Sequence, residues 1–212
     1  MKIIKLISAI LLLQIFSLDI ALAKKIDDTR IKMLNGEYAK LSDFNSDGPM
    51  IINFWTTWWP FCERQLAYLD QLNSYFSETG LQVLTVNVNK PNILNQVRPY
   101  INKRKYKFPV SVDPRSKLAK KLGVLGYPTL FLVGKDGTII HKSSGYEDGM
   151  EDEYLDELLA YFKSENIDHK EFEYKKRQAS DTKETVLMID FWSTIYPEQY
   201  WISYRSSISL PI

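Results

Sequence analysis

Short apolar runs alternate with helical segments through the middle of the chain, and this alternation limits the possible folds more than any other feature. Residues 50–55, 81–88 and 129–133 have the apolar and β-branched composition of buried strands. Between the first two runs, residues 60–79 carry apolar side chains at helical spacing, and Gly80 stands where a helix would end. The pattern predicts an α/β fold with a mixed central sheet and helices on both faces.

Turn signals and shorter segments complete the predicted order of elements. Asn35-Gly36 predicts an N-terminal β-hairpin, because both central positions of its turn require positive φ. Lys135-Asp136-Gly137 indicates a second hairpin that follows residues 129–133. The remaining expected elements are helices at 92–104, 115–122 and 151–163, and strands at 30–34, 38–41, 108–112 and 138–141.

Composition excludes several classes of function. The 212 residues hold 27 Lys and Arg against 26 Asp and Glu, so there is no basic excess to attract a nucleic acid. A single cysteine rules out a disulfide within the chain and a four-cysteine zinc site. The two histidines, His141 and His169, are far apart in sequence, which argues against a metal centre built from them. We therefore expect no metal.

The first 23 residues have the pattern of a secretory signal peptide. Lys2 and Lys5 precede an apolar stretch at 6–18, and Ala21 and Ala23 supply the small residues of a cleavage site. An uncleaved membrane anchor is the alternative, but Asp19 argues against it because a charge in hydrocarbon is costly. We expect secretion, into a bacterial periplasm, with no stable membrane span after cleavage.

Three motifs in order identify a family resemblance. Residues 54–65, FWTTWWPFCERQ, resemble the thioredoxin superfamily pattern F-W-A-x-W-C-x-x-C. Residues 34–44 are similar to the N-terminal hairpin of the TlpA/ResA-like branch, the exported thiol–disulfide oxidoreductases. Residues 123–133, GVLGYPTLFLV, resemble the family segment that contains a cis-proline. The resemblance implies a thioredoxin-like fold, a cis peptide bond at Pro128, and chemistry that needs no cofactor.

The resemblance also assigns roles at the site, and one of the required groups is missing. In the family, the first cysteine of C-x-x-C lies at a helix N-terminus and attacks as a thiolate, and the second resolves the mixed disulfide. Here Trp59 occupies the nucleophile position and Cys62 the resolving position. We expect thiol–disulfide exchange to be impaired, and whether the chain is an enzyme stays open.

Three interpretations of Trp59 compete. The first is a redox-inactive, polypeptide-binding module in which Trp58, Phe61, Tyr127 and Thr129 contact a polypeptide or thiol-protein partner. The second is a residual role for the Cys62 thiol, which is disfavoured because a buried thiol is unreactive. The third is an altered copy, since one base change converts a cysteine codon to tryptophan. Cys62 and Trp55 also fit ordinary core packing.

The C-terminal residues contain a partial repeat of the site sequence. Residues 188–199, MIDFWSTIYPEQ, align with residues 51–62 at a constant offset of 137. The predicted organisation is a signal peptide at 1–23, a thioredoxin-like domain at 24–165, a polar linker at 166–185 and a tail at 186–212. The tail is either the truncated start of a second thioredoxin-like domain or a chance similarity. The sequence indicates no oligomeric state.

Overall fold

The computed structural model describes residues 24–147 and 149–170. The predicted signal peptide and tail, and all but the first five residues of the predicted linker, lie outside the described residues. Within the described part, five strands form one sheet in the order β5–β4–β3–β6–β7, and two more form a hairpin. The strands are β1 Arg30–Lys32, β2 Tyr38–Lys40, β3 Met50–Trp55, β4 Gln82–Asn87, β5 Val110–Val112, β6 Thr129–Val133 and β7 Ile139–Ser144.

The central strand β3 sets the geometry of the sheet. It runs parallel to β4 and antiparallel to β6, which in turn pairs with β7. The C-terminal end of β3 therefore lies beside the C-terminal end of β4 and the N-terminal end of β6. The β1–β2 hairpin joins the outer side of β5 through a bridge between Met33 and Ser111. The mixed character of the sheet and the N-terminal hairpin are as predicted.

Four α-helices lie in the described residues: α1 Pro60–Tyr75, α2 Val97–Arg104, α3 Lys117–Lys121 and α4 Met150–Ser164. Helix α1 begins with a proline, whose fixed φ suits the first helical position and whose missing N–H has no intrahelical partner there. A 3₁₀ turn follows it, and Gly80 ends that turn with φ of 79°. Acidic residues in the first turn of α4 suit the helix dipole.

Alternate residues of β3 face two different layers of the core. Ile52 and Phe54 pack with Phe131 and with Leu118 and Ala119 of α3. The intervening residues Ile51, Asn53 and Trp55 point to the opposite face, because successive side chains of a strand alternate. Trp55 there contacts Tyr100 of α2, with ring centroids 5.3 Å apart. Helices thus cover both faces, as the sequence predicts.

Two local expectations differ from the structure. The predicted helix at 92–104 is a 3₁₀ segment, Pro91–Gln96, followed by α2. Pro99 explains the difference, because it cannot donate to the carbonyl of residue 95 and its ring would clash with that carbonyl in a longer α-helix. His141, which the sequence predicts to be a solvated residue at a strand end, instead lies within β7 with its side chain only 14% exposed.

None of the helices among the described residues has the length and apolar character that a membrane crossing requires.

Candidate functional site

The predicted site lies where β3 ends and the chain turns into α1. Two asparagines hold this turn: Asn87, the last residue of β4, and Asn89 just beyond it. The side-chain oxygen of Asn89 accepts from the Thr57 N–H at 3.0 Å, and its amide donates to the Thr57 hydroxyl at 2.7 Å. Asn87 orients Asn89 by accepting its main-chain N–H at 3.0 Å. The turn is therefore fixed from both its main chain and its side chain.

Trp59 occupies the residue immediately before α1. Its backbone is extended, with φ of −101° and ψ of 113°, and its side chain is half-buried. Its carbonyl accepts from the Cys62 N–H at 3.0 Å, so positions 59 and 62 are joined by one tight turn. Such a turn brings two α-carbons within about 7 Å, inside the range that a disulfide spans. The backbone thus retains the spacing of a cysteine pair, although only one cysteine is present.

Cys62 is fully buried beneath the first turn of α1. Burial raises the pKa of its thiol to about 12, and hydrogen bonding with the Thr56 main chain opposes that rise only in part. At pH 7 about one thiol in 10⁵ would then be ionised, and the thiolate is the reactive species. Cys62 therefore behaves as a core residue, and a redox role for this thiol alone is chemically disfavoured.

Four aromatic rings form a continuous row across the start of α1, which we call the aromatic row. The Trp58 and Trp59 centroids are 5.9 Å apart, Trp59 and Phe61 are 5.6 Å apart, and Phe61 and Tyr146 are 6.0 Å apart. Trp58 is 43% exposed, whereas Tyr146 is buried. Trp55 is fully buried against Tyr100 and does not belong to the row, as core packing predicts.

The Pro128 loop lies before β6 at the same edge of the sheet. The Tyr127–Pro128 peptide bond is cis, as the resemblance implies. Thr129 is fully buried and donates its hydroxyl to the Gly126 carbonyl at 2.8 Å, so it supports the loop from below. Tyr127 is half-buried, and the structure shows no hydrogen bond from its main chain to another described residue. Leu125, at 98% exposure, is the most exposed large apolar side chain among the described residues.

An ion pair that sequence reasoning missed ties α1 to α2. Arg104 donates through both Nε and Nη2 to the same Glu63 carboxylate oxygen, each at 2.7 Å. Its guanidinium also lies 3.6 Å from the centroid of the Tyr100 ring. Burial is the main cause that raises the pKa of Tyr100. The basic residues Lys103, Arg104, Lys105 and Lys107 have the sequence pattern of a solvated helix end, and Arg104 departs from it because its side chain is only 23% exposed.

A polar layer between α1 and α4 is the second feature without a sequence signal. Gln65 donates its amide to the Tyr154 hydroxyl at 3.1 Å, and Tyr68 donates its hydroxyl to the Glu151 carbonyl at 2.8 Å. The Tyr146 hydroxyl bonds the Glu151 carboxylate. Apolar spacing in the helix predicted at 151–163 puts Tyr154 on its inner face, but periodicity does not specify which polar partner a buried hydroxyl finds.

Solved structures place this architecture in a known class. A putative thiol:disulfide interchange protein DsbE from Chlorobium tepidum superposes with a TM-score of 0.61 at 23% identity, covering 66% of this chain and 96% of that one. The pneumococcal exposed lipoprotein thioredoxin Etrx1 from Streptococcus pneumoniae superposes with a TM-score of 0.53 at 26% identity, covering 63% and 99%. The fold is therefore thioredoxin-like, which confirms the predicted fold class.

Sequence comparison then gives the family. The AhpC/TSA family model matches residues 22–142, more than half of the chain, and the chain belongs to that family. A thiol-disulfide oxidoreductase ResA from Bacillus thuringiensis subsp. konkukian is 31% identical over 126 residues, covering 59% of this chain and 71% of that protein. The predicted resemblance to the oxidoreductases of this type is confirmed.

Proposed function

We propose that this chain is an exported, thioredoxin-like member of its family that has lost thiol–disulfide exchange and binds polypeptide at the former reaction site. One observation carries the proposal. Position 59, which precedes the site helix, holds a tryptophan, while the one remaining thiol is fully buried with a pKa near 12. The backbone that would present a reactive cysteine is retained, and the atom that would attack is absent.

The surroundings of position 59 support the binding part of the proposal. Trp58 and Leu125 are exposed apolar side chains, and exposed aromatic anchors are frequent at the centres of protein interfaces. The Tyr127 main chain, with its hydrogen-bonding groups unused by other described residues, suits pairing with an extended segment. A cavity of about 360 Å³ lies instead at the opposite edge of the sheet, beside Met50 and Val133.

The proposed export depends on the predicted signal peptide. The proposed periplasmic destination depends on the same prediction. One protein that shares the fold is described as an exposed lipoprotein thioredoxin. Secretion of a reporter fused after residue 23, with cleavage at Ala23, would support export. Retention of an uncleaved reporter in the cytoplasm would contradict it.

A disulfide-reduction assay tests the loss of exchange. The wild-type chain should show no turnover above a Cys62→Ser control, because neither protein has an attacking thiolate. Trp59→Cys should introduce turnover, since the tight turn between residues 59 and 62 places two cysteines within disulfide reach. Wild-type turnover clearly above the control would refute the proposed loss. An inert Trp59→Cys variant would show that a second feature of the site also blocks exchange.

Fluorescence anisotropy with a reduced and alkylated unfolded polypeptide tests binding. Trp58→Ala should weaken binding about tenfold, as loss of an aromatic anchor does. Tyr38→Ala is the matched control, because Tyr38 is an exposed aromatic residue at 58% exposure that lies on the β1–β2 hairpin. Equal affinities for the wild type and Trp58→Ala, or equal losses in both variants, would contradict binding at the aromatic row.

A further inference from the structure

We propose that Tyr146 is a positioning residue: by bonding the buried Glu151 carboxylate, it holds the aromatic row and the Pro128 loop in one fixed arrangement. The inference rests on the proposed polypeptide binding and names the residue that prepares the surface for it. Tyr146 lies outside the site motif, in the segment that connects β7 to α4.

Glu151 is a firmly held acceptor. It lies in the first turn of α4 and is only 7% exposed. One of its carboxylate oxygens accepts from Tyr146, and the other accepts from the Gly149 N–H at 3.2 Å. Its main-chain carbonyl accepts from the Tyr68 hydroxyl of α1 at 2.8 Å. A carboxylate near a helix N-terminus is favoured by the helix dipole, and hydrogen bonds to a charged group are the stronger kind.

Tyr146 connects Glu151 to the start of α1. Its ring is 4% exposed and lies 6.0 Å from the Phe61 ring, which lies 5.6 Å from Trp59. The Tyr146 ring therefore supports the buried end of the aromatic row, while its hydroxyl fixes the ring to α4. Without the hydroxyl bond, the ring beneath Phe61 would lose its link to the first turn of α4.

The residue before Tyr146 fixes the other border of the surface. The Gly145 N–H donates to the Pro128 carbonyl at 2.8 Å. Gly145 has φ of 89°, a conformation that glycine adopts without strain. Consecutive residues thus hold the Pro128 loop and the aromatic row, and the Tyr146 hydroxyl joins both to α4. This arrangement explains why a buried carboxylate lies beside the site although the site chemistry does not use it.

A second tyrosine allows positioning to be separated from stability. The Tyr154 hydroxyl also bridges α1 and α4, because it accepts from Gln65, and Tyr154 is likewise buried. Its ring contacts His141 at 6.2 Å rather than the aromatic row. Tyr146→Phe and Tyr154→Phe therefore each remove one buried hydroxyl that ties α4 to another segment, the β7–α4 connection for Tyr146 and α1 for Tyr154, but only the first acts on the row.

The experiment measures polypeptide affinity, thermal stability and the ¹⁹F NMR spectrum of protein labelled with 5-fluorotryptophan. We expect Tyr146→Phe to weaken binding of the reduced and alkylated polypeptide about fivefold and to shift or broaden the Trp59 resonance. Tyr154→Phe should leave affinity and that resonance unchanged even if it lowers the melting temperature as much. Glu151→Gln retains an acceptor oxygen for the Tyr146 hydroxyl but loses the charge that strengthens the bond, so its affinity should lie between those of the wild type and Tyr146→Phe.

Three outcomes would overturn the inference. They are an unchanged Trp59 resonance in Tyr146→Phe, affinity losses that follow stability equally in both phenylalanine variants, and an affinity of Tyr146→Phe equal to that of the wild type. If the wild type binds no polypeptide, the proposed function fails, and the ¹⁹F spectra still decide whether Tyr146 positions the aromatic row.

Discussion

Replacing Cys62 by alanine should make the stability of the chain less sensitive to alkaline pH. The thiol has a pKa of about 12 in the folded protein because it is fully buried, against 9.0 as its ordinary value. Between these values the folded state keeps the proton and the unfolded state releases it. The contribution of the neutral thiol is therefore complete below pH 9 and is lost as the pH rises towards 12.

The size of the effect follows from the two pKa values. Each unit of difference corresponds to about 1.4 kcal/mol, so the complete loss across the window approaches about 4 kcal/mol. At pH 10.5, halfway through the window, the loss of unfolding free energy relative to pH 8 is about 2 kcal/mol. In a urea titration with an m-value of about 2 kcal/mol per molar, this moves the midpoint by about 1 M.

Urea denaturation of wild type and Cys62→Ala at pH 8 and pH 10.5 measures the contribution of the neutral thiol to the unfolding free energy. Tyr100 and Tyr154, whose pKa values burial also raises, are present in both proteins, so their effects cancel in the difference apart from the minor charge interaction between Tyr100 and Cys62. The alanine variant loses packing at both pH values and is less stable than the wild type. This difference in unfolding free energy should shrink by about 2 kcal/mol at the higher pH. A gap that changes by less than about 0.5 kcal/mol would show that the thiol is not held neutral by burial.

Two further substitutions test buried polar groups. Asn53→Leu should raise the unfolding free energy by about 1–2 kcal/mol, because both amide atoms of Asn53 are buried without a hydrogen-bond partner among the described residues. Asn87→Leu should lower it, because this change removes the acceptor of the Asn89 N–H. Urea titrations in which both variants change the unfolding free energy in the same direction would contradict the assignment. Asp113→Ala should destabilise the chain by about 1–2 kcal/mol, because the carboxylate accepts two N–H groups at the start of α3 at 2.8 and 3.0 Å. Asp113→Asn should lower the unfolding free energy less. An equal loss of stability in both variants, measured by calorimetry, would argue against capping.

The sequence predicted the parts of the fold that depend on local patterns. The apolar runs at 50–55 and 129–133 coincide with β3 and β6, because a buried central strand needs an uninterrupted apolar segment. Helix α1 begins at the predicted Pro60, since proline at the first helical position is a local signal. Segments in which a proline interrupts helical periodicity were predicted less well. The single helix predicted at 92–104 is instead a 3₁₀ segment followed by α2.

The site was predictable where it follows the family motif and not where it depends on contacts between distant segments. Trp59, Cys62 and Pro128 were identified from three short motifs. The bond between Tyr146 and Glu151 joins the loop after β7 to the first turn of α4, and the pair of Glu63 with Arg104 spans 41 residues. Partners of this kind are set by how the helices pack, so neither residue of such a pair carries a signal in its own sequence context.

The two positions of the altered motif are subject to different physical constraints. Position 59 precedes the helix with an extended backbone and a half-buried side chain, so a large indole fits there without entering the core. Position 62 is fully buried, so only a small apolar side chain fits without repacking. A tryptophan at position 59 is therefore accommodated at little cost to folding, whereas a large residue at position 62 would destabilise the core. Packing alone is therefore a sufficient role for Cys62 under the proposed function.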